Sequence, residues 1–340
     1  MIAPRHIVDP VSKRRLSPDG DDLLGADGQR YPSFGGGWDL RPRTPGATLD
    51  DANKSLQADI YDTRIGELSD FDHPHNLMLV HQRRLLEALP LSPGDRVLEI
   101  GGHRSGLLPW LERTRGITGN GLDISPVWVR AQNAAARARR SDTVWVLGDA
   151  EALPFADESF NAVIALDVLE HLTHLDRAVT EAYRVLRPKG RFIVHMPVQD
   201  IDGSFDGWQR WRDAADYAAR QASVGHFHER MPTRRQMRTR LEAGGFHVLD
   251  VASFNVWVQP LHDHRLVPLL GRLKNGRRRR ASSDAPSTGA RSTPPASGTS
   301  GFTRAYARYV VPVAGALASI DRVGSALGIG GSCFFVAQKP

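Results

Sequence analysis

The sequence predicts an α/β protein with a mostly parallel sheet, on three observations. Between Pro74 and Gly271, apolar runs of strand length alternate with segments of helical periodicity, the order that builds strand–helix–strand crossovers. The helical segments carry their own start and stop signals. The first strand runs into a Gly-rich turn, VLEIGG (Val97 to Gly102), and an acidic residue, Asp123, follows 22 positions after Gly101. Sheets of this kind bind ligands beyond the carboxyl ends of their strands, where the strand order reverses.

Taken in order, strands are expected at Arg96–Ile100, 117–122, 143–147, Phe160–Leu166, 191–196 and 246–253. Leu175, Ala178, Val179, Ala182 and Leu186 follow one helix face, with Pro188 and Gly190 as the stop. Thr233 and Gln236 have capping-box spacing before Met237 and Leu241, and Gly244 with Gly245 ends that helix.

Composition excludes several classes. The chain has 340 residues, 41% of them hydrophobic, and one cysteine. That is too apolar for a disordered chain and too poor in cysteine for an internal disulfide, a Cys-built zinc site or an iron–sulfur cluster. MIAPRHIVDPVSKRRL lacks the apolar run of a signal peptide, and the longest apolar stretch, 309–320, is shorter than the ~20 residues a membrane span needs. The expected location is cytoplasmic. The net charge of +6 is local: residues 271–310 carry nine Lys/Arg and one Asp, so the rest of the chain is slightly acidic. No specific nucleic acid is expected as partner, and no protein partner is inferable.

A Gly-rich turn followed by an acid about 20 positions later suits any ribose-bearing cofactor, nicotinamide dinucleotides included. Glu99 separates the choices. A carboxylate beside the turn repels a pyrophosphate and attracts an ammonium and a sulfonium, which points to S-adenosylmethionine.

At these residues the sequence resembles the class I S-adenosylmethionine-dependent methyltransferases. The resemblance rests on VLEIGG, GLDIS, GDAEALPF (148–155), FNAVIALDVLEHL (160–172), EAYRVLRPKG and RFIVHMPV. It implies a doubly wound, mostly parallel, Rossmann-like seven-stranded sheet, with an antiparallel last strand through Phe334, Phe335 and Val336. It further implies a cofactor-binding set of Glu99, Gly101, Gly102, Asp123, Ile124, Asp149, Ala150 and Asp167. The turn glycines would lie under the methionine part, Asp123 would bind the ribose, Asp149 with Ala150 the adenine amino group, and Leu122 and Ile124 would flank the adenine. Asp167 would border the methyl-transfer site or cap the following turn.

The sequence departs from the family turn in one place. Where the family carries E-x-G-x-G-x-G, this chain has Glu99, Gly101, His103 and Ser105; a shifted register would use Gly102 and Gly106. His171 is a packing residue or a substrate contact, and His195, in an apolar strand, reads as a satisfied core histidine.

The flanking regions divide the chain further. Residues 1–45 resemble the zinc-ribbon segment preceding some bacterial methyltransferases, with Asp9, Ser12, Leu24 and Asp27 at the four cysteine positions. No zinc is expected there, because two carboxylates, a hydroxyl and a Leu make a poor tetrahedral site. The methyltransferase core spans 46–256, with a lid insertion at 199–232 that supplies His226 and His228; Tyr61 precedes the core where a cofactor-covering helix is expected. Residues 257–331 form a helical insertion containing a disordered tract, 275–301, rich in Ser, Thr, Pro and Gly. The final core strand lies within 332–340.

The expected function is methyl transfer from S-adenosylmethionine to a small or medium nucleophilic acceptor, lipid-linked acceptors included. The alternatives are a noncatalytic methyltransferase-fold binding protein and a nicotinamide dehydrogenase. Tyr61, His171, His226 and His228 are the substrate candidates; no catalytic residue is identified. The basic, apolar stretch 261–327 is a candidate for peripheral membrane contact.

Overall fold

The computed structural model describes residues 6–42, 62, 69–74, 76–102, 105–223, 231–262, 301–317 and 321–340. Five short N-terminal strands come first: β1 (Ser17–Asp19), β2 (Asp22–Leu24), β3 (Arg30–Tyr31), β4 (Ser33–Phe34) and β5 (Gly37–Trp38). The core then alternates as α1 (Leu77–Glu87), β6 (Arg96–Ile100), α2 (Leu107–Arg115), β7 (Thr118–Asp123), α3 (Pro126–Ala138), β8 (Val144–Leu147), β9 (Phe160–Leu166), α4 (Leu175–Val185) and β10 (Leu186–Pro197). Next come α5 (Phe205–Arg212), α6 (Ala214–Ala222), α7 (Arg234–Ala243), β11 (His247–Phe254), α8 (Val258–Leu261), α9 (Gly301–Leu317), α10 (Asp321–Ala326) and β12 (Ser332–Gln338).

The seven long strands form one sheet in the order β11-β12-β10-β9-β6-β7-β8. All neighbours are parallel except β12, which runs antiparallel to both β10 and β11. The order reverses between β6 and β9, which leaves a crevice at their carboxyl ends. Two apolar layers cover the sheet, one around Leu98, Val163, Phe192 and Phe335, the other around Val97, Trp145, Ile164 and Ile193.

Local chemistry explains most boundaries. Ser125 caps α3 by accepting from the Trp128 N–H, and Pro126 opens the helix with φ already set. The Thr233–Gln236 capping box forms as expected. Two expectations need correction. Leu186 does not continue α4: its backbone is extended and it pairs with Phe160, because the helix ends at Val185 and the chain turns directly into β10. Gly301 belongs to helix α9, not to the disordered tract; the remainder of that tract lies outside the described residues.

The ribbon-like segment packs into the core. Ile7 bridges Phe155, Asp39 bridges Leu147 at the β8 edge, and Tyr31, Trp38 and Leu40 are buried in the main apolar layer. At the first ribbon position Asp9 is buried and organises its loop by hydrogen bonds: Oδ1 accepts from the Val11 and Ser12 N–H groups at 2.8 and 2.7 Å, and Oδ2 from the Tyr31 hydroxyl at 2.7 Å. Burial acts to raise the Asp9 pKa, but the bonds from Ser12, Tyr31 and Val11 together hold it below the usual carboxylate value. Asp27 accepts from the Gln29 N–H in the partner loop.

Candidate functional site

The crevice at the switch point is a cavity of about 230 Å³. Its floor comes from strand ends: Ile100 and Gly101 after β6, Leu122 to Ile124 after β7, Gly148 to Ala150 after β8, and Leu166 to Val168 after β9, with His171 and Leu172 from the following 3₁₀ turn. Of the expected cofactor residues, Gly101, Asp123, Ile124, Asp149, Ala150 and Asp167 therefore meet around one space, joined by His171.

Gly101 has φ +72°, and a Cβ there would lie 2.2 Å from Val168 Cγ2, so only glycine lets the β6 turn approach the residues after β9. Gly102 does not line the cavity. Its α-carbon faces the Trp145 ring, which would lie 1.7 Å from a Cβ, so its smallness serves packing between strand and turn. Gly106, the glycine of the shifted register, is the N-cap of α2 and also lies outside the cavity lining. His103 lies outside the described residues.

Glu99 is likewise behind the turn and not in the cavity wall: it is 3% exposed and its Oε2 has no hydrogen-bond partner. Burial, opposed by hydrogen bonds from Ser105 and Leu108 and reinforced by the Asp123 charge, pushes its pKa up to about 8. Asp123 and Asp149 are held by Asx-type turns, Oδ1 of each accepting the backbone N–H two residues on, from Ser125 at 2.8 Å and Glu151 at 2.9 Å.

Two contributors are not evident from the motifs. Gln132 on α3, 1% exposed, donates to the Gly102 and Ser105 carbonyls at 2.8 and 2.9 Å, clamping both sides of the turn. Its signal in the sequence is only a polar residue on the inward face of an amphipathic helix. His195 has Nδ1 2.7 Å from Asp167 Oδ1, so the histidine expected to be satisfied within the core in fact reaches a cavity carboxylate. Tyr61, His226 and His228 lie outside the described residues, but Asp62, next to Tyr61, accepts a hydrogen bond from the Ser125 hydroxyl beside the cavity. Among the described residues no cluster of three or more His, Cys, Asp or Glu side chains is arranged to hold a metal.

Comparison with known proteins agrees with this geometry. Residues 98–194 match a family model described as a methyltransferase domain. The chain is 31% identical over 147 residues to the human mitochondrial 2-methoxy-6-polyprenyl-1,4-benzoquinol methylase, covering 39% of this chain and 44% of that protein. It is 30% identical over 159 residues to the ubiquinone/menaquinone biosynthesis C-methyltransferase of Brucella anthropi, covering 42% and 58%. The chain thus spans about half the length of the curated relatives it matches. Among solved structures, the Haemonchus contortus phosphoethanolamine N-methyltransferase 2 with S-adenosyl-L-methionine superposes with TM-score 0.55 at 14% identity, over 96% of this chain and 71% of that one. The Streptomyces coelicolor geranyl diphosphate C-methyltransferase gives 0.53 at 14% identity, over 88% and 100%. These two likenesses are of fold. The family match is centred on the strands that build the cavity, so what the comparison shows is a methyltransferase domain at residues 98–194.

Proposed function

We propose that this protein transfers the methyl group of S-adenosylmethionine to a small or medium acceptor carrying an apolar portion. The observation that carries the reading is the convergence of Asp123, Asp149 and Asp167 on one cavity, with the unpartnered Glu99 Oε2 behind its turn. The residues fit the cofactor: Asp123 would offer an acceptor to the ribose hydroxyls, Asp149 with Ala150 would meet the adenine amino group, Leu122 and Ile124 would flank the adenine, and the Gly101 turn would admit the amino-acid portion. When bound, the cofactor supplies an electrophilic methyl group on a sulfonium; the protein's contribution is alignment and exclusion of water. The relatives named for polyprenyl benzoquinol and quinone biosynthesis make a prenylated aromatic acceptor the first class to test.

The decisive experiment incubates the protein with methyl-labelled S-adenosylmethionine and a panel of prenylated quinols, polar amines and prenyl diphosphates. Label in the quinol class supports the reading; label confined to polar amines contradicts it.

A lipid-linked acceptor also agrees with the surface. Tyr309, Val313 and Leu327 on and after the late helices are 66%, 61% and 73% exposed, and the sequence beside them carries the local +8 charge. No described helix is long and apolar enough to cross a membrane. Arg277 to Arg280 lie outside the described residues; changing them to Gln is expected to weaken low-salt flotation with anionic vesicles. The same negligible recovery with anionic and neutral vesicles at low salt would contradict membrane contact.

Glu99 gives a second prediction. With its pKa at about 8 in the cofactor-free protein, the carboxyl is largely protonated at pH 7. An ammonium beside the turn favours the carboxylate, so cofactor binding at pH 7 is expected to release a proton. Because the folded pKa is raised, Glu99's contribution to stability is full below the ordinary carboxylate pKa and is lost as pH rises through about 8. Calorimetric titration in two buffers of different ionisation enthalpy measures the release, and identical heats would contradict the placement of Glu99.

A further inference from the structure

We propose that His195 is a positioning residue that holds the Asp167 carboxylate as proton acceptor for a methyl acceptor bearing an O–H or N–H group. This deepens the proposed function and rests on it. Asp167 is the first residue after β9 and adopts the left-handed conformation, φ +56°, which Asp enters more readily than most non-Gly residues. Two contacts with one residue accompany it. The Asp167 N–H donates to the His195 carbonyl at 2.8 Å, and Asp167 Oδ1 lies 2.7 Å from His195 Nδ1, off the N–H axis. At this distance a reorientation of the ring or the carboxylate, without any approach of the two groups, makes it a hydrogen bond, and catalytic hydrogen bonds often tighten in this way on substrate binding.

His195 occupies a position where the strand is otherwise apolar. It follows Ile193 and Val194, is 2% exposed, and its ring lies 4.4 Å from that of Phe334. An apolar side chain would satisfy that packing, so the imidazole is explained by what its nitrogens reach. Nδ1 faces Asp167, and Nε2 is 3.1 Å from the Ser332 hydroxyl on β12. Ser332 Oγ can donate to a neutral Nε2 or accept from a protonated one, so this buried ring can serve either charge state of its partner. Asp167, His195 and Ser332 thus form a line across three adjacent strands from the cavity into the sheet.

Exposure separates Asp167 from the other cavity acids. Its side chain is 48% accessible, whereas Asp123 and Asp149 are 6% and 1% exposed and His171 is 7%. It is the carboxylate that an acceptor can reach after the cofactor occupies the strand ends. In the step, a lone pair on the acceptor oxygen or nitrogen forms the new bond to the methyl carbon. The carbon–sulfur bond breaks with its electron pair going to sulfur, and the acceptor's proton passes to Asp167.

The test begins on the cofactor-free protein. Nitrogen NMR of histidine-labelled protein is expected to show His195 as the Nδ1–H tautomer, with its signal displaced in Asp167→Asn. An Nε2–H tautomer, or a signal indifferent to that substitution, overturns the proposal. The second arm measures transfer from methyl-labelled S-adenosylmethionine to the small-molecule fraction of a cell extract. Asp167→Asn and His195→Phe, which keeps the ring packing, should each reduce transfer about 10²-fold with S-adenosylhomocysteine affinity within about twofold of wild type. His195→Asn, which returns an N–H donor toward Asp167, should recover most of the loss. Full transfer by His195→Phe, loss of S-adenosylhomocysteine binding in Asp167→Asn, or label found only on carbon overturns the inference. A wild-type protein that binds S-adenosylhomocysteine yet labels nothing counts against the proposed function instead.

Discussion

Gly101→Ala is expected to abolish measurable cofactor binding and to lower the melting temperature. The added Cβ meets Val168 Cγ2 at 2.2 Å and Cγ1 at 3.2 Å, and the backbone there is left-handed at φ +72°. Left-handed strain and overpacking together cost about 2 to 5 kcal/mol. Val168 itself lines the cavity, so relief of the clash moves the wall that the cofactor would contact. Thermal unfolding and titration with S-adenosylhomocysteine measure the two effects. Wild-type affinity in this variant would show that the turn does not approach the ligand.

Asp123→Ala is expected to weaken S-adenosylhomocysteine binding by about 1 to 3 kcal/mol, the range for a lost hydrogen bond to a charged acceptor. The same carboxylate also orders the start of α3, because Oδ1 accepts from the N–H of Ser125, which is fully buried and caps that helix. Asp123→Asn separates the roles: it keeps an oxygen for Ser125 and removes the charge. Its melting temperature should match wild type while affinity falls about tenfold. Unchanged affinity in both variants would remove Asp123 from the binding site.

Much of this architecture was legible because the signals are local. Arg96–Ile100 and Phe160–Leu166 form strands over the expected bounds, since both are apolar runs buried on both faces of a parallel sheet. The Thr233–Gln236 box depends on neighbours within a few positions. The Gly101 turn and Asp123 were readable from spacing alone. What spacing could not supply is side-chain contact across the sheet. Trp145 on β8 covers the α-carbon of Gly102 from the next crossover, a packing demand on that glycine that the motif does not show. His195 meets Asp167 because β9 and β10 are adjacent and parallel, with His195 opposite Leu166. A histidine in an apolar strand that follows an Asp-terminated strand was the available signal, and only strand register turns it into a contact. Asp9 shows the same limit: its place in the sequence says nothing of the Tyr31 hydroxyl 22 residues away that completes its hydrogen bonds.

The most direct test of the central claim is calorimetric titration of the purified protein with S-adenosylhomocysteine and, separately, with NAD. Three carboxylates around the cavity suit a ligand with a ribose and a cationic head, and disfavour a pyrophosphate. The account predicts saturable binding of one S-adenosylhomocysteine per chain and no heat with NAD. Saturable binding of NAD, with S-adenosylhomocysteine silent, would contradict it.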